Sequence, residues 1–356
     1  MLRSVHRWIG LVAALFWIVQ AVTGALIVFR WEIDDSLVPG ARVPVDQYAL
    51  GERIEAIAGG GGIVSSMWAS SMAADRFDIH YLDALGTERV MRVDGEGQPL
   101  RDRPANLALS GGAVFDRLTE MHQSLLAGES GAWVVRVSGV VLLTNLALGL
   151  RLAWPRAGHW QRSLFLRPRG PVRITVRGWH RVVGLWGVLP ALLIVSAGVL
   201  LAFLDDLEQW LGVVRCDPIA ISVAAAIGPS EALAIALARH PGAKISALQM
   251  PQHDHPLYSV RVHASDEVSR NWGVTTVFVN AANGSVLEDH PAPSPGTARG
   301  FLDLVYPFHT GQIGGWLGRL VVLLGGVWLI TMIGVGILSW AAQRRGSRES
   351  SSRVDR

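Results

Sequence analysis

Apolar residues along this chain gather into four long blocks separated by polar stretches. Trp8–Phe29, Val182–Leu204 and Leu320–Ala342 contain no charge, and Ala132–Trp154 carries only Arg136 and Arg151 near its ends. About 20 apolar residues cross a hydrocarbon core of roughly 30 Å. An arginine near a helix end can reach the interface along its aliphatic stem. All four blocks therefore predict transmembrane helices. The first follows a short basic segment, as a signal peptide would, but its apolar run is too long and no small-residue cleavage site follows.

Between the blocks the periodicity changes. "RFDIHYL" and "ERVMRVD" alternate as short strands around "DALGT", with the turn "DGEGQPL" behind them. In the second long segment "SEALAIALARHPG" predicts a helix capped by Ser230 and ending near Gly242. "LYSVRVH" and "GVTTVFV" then predict strands, and "NAANGSVL" a glycine turn. The expected order is a helix in 1–30, an α+β module over 31–131, helices at 132–154 and 179–204 around a loop at 155–178, a second module over 205–315, a helix at 316–342 and a tail at 343–356. The fold class is a mostly α membrane protein, its four transmembrane helices forming two tandem two-helix repeats with an α+β module in each half.

The repeat is legible in the residues. Aligning 6–29 with 180–203 matches His6/His180, Arg7/Arg181, Gly10/Gly184, Leu11/Leu185, Leu15/Leu189, Gly24/Gly198, Leu26/Leu200 and Phe29/Phe203. Leucine matches are cheap in apolar helices; a shared His-Arg-x-x-Gly-Leu is not. The second helix of each half has a looser echo: His122 precedes Trp133 and Arg136, and His309 precedes Trp316 and Arg319.

Charge orients the spans. Of 356 residues, 50% are hydrophobic and 17% charged, against about 25% charged in soluble domains. Residues 151–181 hold eight arginines and no acid, and the tail adds Arg344, Arg345, Arg348, Arg353 and Arg356. The positive-inside rule then places both termini and this loop in the cytoplasm, with the two modules on the far side, the periplasm of a Gram-negative cell. A single cysteine, Cys216, excludes a disulfide framework and any CxxC site. No P-loop or dinucleotide fingerprint occurs, and no nucleic-acid partner is expected.

Each half thus puts one histidine at each membrane face. Paired imidazoles from different helices suit haem iron, which takes two axial nitrogens in electron-transfer sites. His6 with His180 would hold one b-type haem near the cytoplasm, and His122 with His309 a second near the outside. Gly10 and Gly184, one turn beyond their histidines, would let a flat macrocycle or a neighbouring helix approach. Arg136 and Arg319 would pair with propionates. The plainer alternatives stay open: histidines and arginines as interfacial anchors, glycines as helix packing. "QHDHP" offers His253 and His255 as an incomplete metal loop; His159 is a donor-docking contact or a solvated residue; Trp68 and Trp272 frame a substrate or pack a core.

"HRWIGL…TG", "HRVVGLW", "MHQSLL" and "FHTGQIGG" together resemble the PepSY-associated transmembrane family over nearly the whole chain. The resemblance implies four membrane helices with periplasmic PepSY-like modules, two haems, and reduction of iron in imported siderophores. Its haem-ligand histidines fall on His6, His122, His180 and His309. The chain departs from the pattern at Ser196-Ala197-Gly198 and in "GGGGIVSSM". The expected function is electron transfer across the bacterial inner membrane to a periplasmic acceptor, ferric siderophore foremost. The donor would be a separate cytoplasmic protein, a quinol or a soluble flavin. The rival is a non-redox PepSY membrane protein that binds peptides or restrains a peptidase.

Overall fold

The computed structural model describes residues 1–105, 113–165, 168–213, 226–252, 256–268, 270–294 and 296–354, with side chains described as far as 344. The expected metal loop at His253 and His255 lies outside them. The helices in chain order are α1 (Leu2–Val12), α2 (Ala14–Ile27), α3 (Arg30–Ser36), α4 (Gln47–Gly59), α5 (Ala113–Ser124), α6 (Gly128–Ala153), α7 (Trp160–Phe165), α8 (Val172–Ala202), α9 (Leu204–Leu211), α10 (Pro229–Arg239), α11 (Ala298–His309) and α12 (Gly315–Val354). The strands are β1 (Ile63–Ala69), β2 (Arg76–Leu82), β3 (Glu88–Asp94), β4 (Pro99–Pro104), β5 (Lys244–Gln249), β6 (Leu257–His263), β7 (Thr275–Asn280) and β8 (Val286–His290). The chain divides into a helical unit (1–28, 118–207 and 308–356) and a sheet unit (29–117 and 208–307).

In the helical unit, α6, α8 and the stretch Gln312–Arg344 are each long and apolar enough to cross a membrane. The first apolar block is not one straight helix. It breaks at Ala13 into α1 and α2, bent by 62°. On α8 the buried residues Val182, Leu185, Val188 and Ala191 form one stripe, while Trp186, Leu189 and Leu193 stand exposed on another. On α6 the exposed side carries Trp133, Val134, Val137 and Val140. Apolar residues turned outward at helical spacing are what a lipid solvent favours, where a water-soluble helix would put polar ones. α12 packs on α8 and α2, α6 on α8, and α1 on α6.

The sheet unit joins both long segments in one antiparallel sheet of order β4-β3-β2-β1-β5-β6-β7-β8. The join is β1 with β5, in the register Ser66↔Gln249, Met67↔Leu248, Trp68↔Ala247. The element order helix–four strands occurs in each segment, with α4 before β1 and α10 before β5. Leu50 and Ile54 of α4 and Leu233 and Ala236 of α10 share one core with Met67, Phe77, Ile79, Leu248, Val260 and Val277. The two helices touch where Gly51 lacks a side chain: a β-carbon there would fall on the hydroxyl of Ser230. Ser230 is accordingly inside α10, and Gly228 takes the cap position expected for it.

An ionic knot fixes α3 on this sheet. Asp34 accepts two hydrogen bonds from Arg101 at 3.0 and 3.1 Å and lies 2.6 Å from Arg92. Asp35 pairs with Arg42 and with the buried Arg76. Burial alone would raise the Asp34 carboxyl, but the Arg101 hydrogen bonds and the charges of Arg92 and Arg101 outweigh it and hold it below the usual range. Burial likewise opposes the charge of Arg92, yet Asp78 and Asp34 push its pKa up.

Candidate functional site: two histidine pairs on glycine seats

The four histidines singled out from the repeat come together as two pairs within the helical unit. The rings of His6 and His180 are 6.3 Å apart centre to centre, and those of His122 and His309 are 6.4 Å apart. A metal–imidazole bond is about 2 Å, and the ring centre lies roughly 1 Å beyond the ligating nitrogen. Two imidazoles on opposite sides of one ion therefore place their centres about 6 Å apart. Both pairs have that spacing.

Each imidazole also has the same kind of seat. His122 lies against Gly24, His309 against Gly198, His6 against Gly149 and His180 against Gly336. A β-carbon would approach Cε1 to 2.9 Å at Gly24, 2.7 Å at Gly198, 3.1 Å at Gly149 and 3.4 Å at Gly336. A glycine at these points lets the ring reach the helix backbone. There Nδ1 meets the carbonyl four residues before the glycine: Gln20 for His122 at 3.1 Å, Ile194 for His309 at 3.0 Å, Asn145 for His6 at 3.1 Å. For His180 the facing carbonyl is that of Met332, in the same place relative to Gly336, though the contact falls short of hydrogen-bond geometry.

A carbonyl only accepts, so in the three formed bonds Nδ1 carries the proton and Nε2 keeps its lone pair free. This is the arrangement that orients a histidine for metal ligation and raises its basicity. Thr23 adds to one seat alone: its hydroxyl lies 3.2 Å from His122 Nδ1 and donates to the Val19 carbonyl. Among the described residues no three or more His, Cys, Asp or Glu cluster as a metal site. An ion held by only two protein nitrogens would need its remaining ligands from a bound group, and a porphyrin is a group of that kind.

The two pairs sit at opposite ends of α8. His180 and Gly198 are eighteen residues apart on it, about 27 Å at 1.5 Å per residue, close to a bilayer core. A cavity of about 1990 Å³ opens around the His6–His180 pair, and Gly10, Gly149, Gly184 and Gly336 line it.

Other expected site residues have different contacts. At Gly10 a β-carbon would meet only the Asn145 amide at 3.5 Å, and at Gly184 the tip of Met332 at 3.1 Å; both glycines border the cavity rather than seat a histidine. Arg319 is buried and gives Nε and Nη2 to the Val28 carbonyl. Arg136 lies over Trp133 and Phe203, with Asp206 at 3.6 Å. These contacts lie near helix ends. His159 borders the cavity. Trp272 donates to the Ala69 carbonyl and packs edge-on against Trp68 and Trp31, a core role.

Residues 3–343 match the PepSY-associated TM region. No individually curated protein matches the chain.

Proposed function

The chain belongs to the PepSY-associated transmembrane family, and from that premise we propose that it is a di-haem electron-transfer protein of the bacterial inner membrane. It would pass electrons from the cytoplasmic side to a periplasmic acceptor, ferric iron in a siderophore. The observation that carries this reading is the pair of bis-imidazole sites at metal-bridging separation, each ring on a glycine seat. Interfacial anchoring asks for none of that geometry.

In this reading the bent α1–α2 pair is the fourth span, and the halves are tandem copies. Support comes from the seats themselves. One spacing relates Gln20 and Gly24 to Ile194 and Gly198; another relates Asn145, Gly149 and His122 to Met332, Gly336 and His309. The arginine-rich loop and tail support a cytoplasmic side for His6 and His180.

Two b-type haems, one at each pair, would supply one-electron chemistry at the two ends of the span. The residues of the chain do the rest. Nε2 of each histidine would ligate the iron, the carbonyls of Gln20, Ile194 and Asn145 hold the tautomer, and the glycines admit the rings. One electron converts Fe(III) of the chelate to Fe(II), which hard oxygen ligands hold less firmly. The donor is a separate cytoplasmic protein, a quinol or a soluble flavin.

The test is the absorption spectrum of the detergent-purified protein. A Soret band with α and β bands that sharpen on reduction, at two haems per chain, is expected. A colourless and folded protein overturns the reading and leaves the peptide-binding alternative.

A further inference from the structure

The cavity at His6 and His180, which in the proposed reading also takes the inner haem, has more room and more charge than one bound group requires. Single small-molecule pockets run to about 300–1,000 Å³, and this one measures about 1990 Å³. Its lining includes Arg3 and Arg7 of α1, Arg162 of α7, and Arg169, Arg173 and Arg177 at and before the start of α8, with no carboxylate among the described residues. None of these arginines forms an ion pair among the described residues.

Arg169, Arg173 and Arg177 recur every fourth residue, the last two within α8. Like charges at that spacing on one helix face repel. Membrane topology asks only that a loop be positive. It does not ask that arginines from three separate segments converge on one concave surface. Trp154, packed edge-on against Trp160 at 5.1 Å, and Trp340 border the same space and offer aromatic faces.

We infer that this cavity is a binding site for a phosphate-bearing anion, beside the inner histidine pair. Planar guanidinium groups brought to one cavity from three segments suit phosphate oxygens, which they bind in bidentate fashion. The same chemistry is offered by a soluble phosphorylated flavin and by the headgroup of an anionic phospholipid. That a flavin bound here serves as electron donor rests on the electron-transfer reading; the anion site does not.

The experiment uses the full-length chain in phosphatidylcholine nanodiscs, titrated with flavin mononucleotide and, separately, with riboflavin. Saturable binding of the phosphorylated form is expected, with riboflavin at least about tenfold weaker. R173Q/R177Q should weaken the nucleotide by about tenfold or more, the worth of one or two charge-assisted hydrogen bonds, and leave riboflavin unchanged. R3Q/R7Q, on α1 rather than α8, should do the same and guards against a misfolded first variant. If flavin mononucleotide does not bind, but phosphatidylglycerol is retained by the wild type and lost from both variants, the anion is a lipid headgroup. Equal binding of the two flavins, or binding of neither anion through these arginines, overturns the site. A colourless protein that still binds through the arginines would overturn electron transfer and leave this site standing.

Discussion

His309 rests on Gly198 so closely that a β-carbon at that glycine would lie 2.7 Å from the imidazole Cε1. The obstacle is a ring that cannot flex and whose Nδ1 is tied to the Ile194 carbonyl. Gly198→Ala should therefore displace the imidazole and, on the di-haem proposal, lose the outer haem while the inner one remains. Haem content by pyridine haemochrome checks this, at half the wild-type value per folded chain. Full content would show that the seat does not govern ligation.

The four seats are not equally tight, which gives a graded expectation for the inner pair. A methyl at Gly149 would stand 3.1 Å from the His6 ring, whereas at Gly336 it would stand 3.4 Å from the His180 ring, an ordinary contact. Gly149→Ala should broaden or weaken the inner-haem spectrum, and Gly336→Ala should leave it nearly unchanged. Reduced-minus-oxidised spectra of the two variants, purified side by side, decide the order. The reverse order would mean that approach to the backbone is not what these glycines provide.

Much of this arrangement is legible in the residue pattern, and the exceptions have physical causes. β2, β3 and β6 coincide with the alternating stretches that predict them, since period-two patterning survives wherever one sheet face is buried. β1 and β5 are not visible in that way. Their pairing joins segments far apart in sequence, and no local signal encodes it. The histidines stand out because a repeat duplicates them. Gly24 and Gly198 stand out with them only as matched positions of that repeat. Gly149 and Gly336 carry no signal, because a glycine in an apolar helix reads the same whether it meets a ring or a leucine. The break at Ala13 is equally silent, with no proline or glycine beside it. Asp34 and Asp35 read as ordinary residues after a span, and only tertiary contact with Arg92, Arg101 and Arg76 makes them an anchor.

That anchor predicts an acid limit for the sheet unit. The Asp34 carboxyl is held below its ordinary value, so the unfolded chain binds its proton more readily than the folded one. Its contribution is complete above the unfolded pKa, about 3.9, and is lost as pH falls below that through the depressed folded value. Asp34→Asn should reduce stability at neutral pH and flatten the acid limb of the pH–stability curve. Hydrogen exchange of peptides covering β3 and β4 at neutral and acid pH gives the readout. An unchanged acid limb would show that Asp34 does not govern it.

The outer pair has one asymmetry that its spacing does not explain. Thr23 touches His122 Nδ1 at 3.2 Å, whereas the corresponding position on α8, beside His309, is Ala197. Because the threonine hydroxyl donates to Val19, its lone pairs are free to accept from Nδ1–H together with the Gln20 carbonyl. A second acceptor makes the imidazole a stronger electron donor and favours ferric iron. Thr23→Val keeps the volume and removes that acceptor. It should raise the midpoint potential of the outer haem by tens of millivolts and leave the inner one fixed, since hydrogen bonding around the ligands is one of the levers on potential. A spectroscopic redox titration of both haems measures the two values together. A shift in both, or in neither, would mean that Thr23 only packs its helix. A shift confined to one would identify which spectral component belongs to the His122–His309 pair.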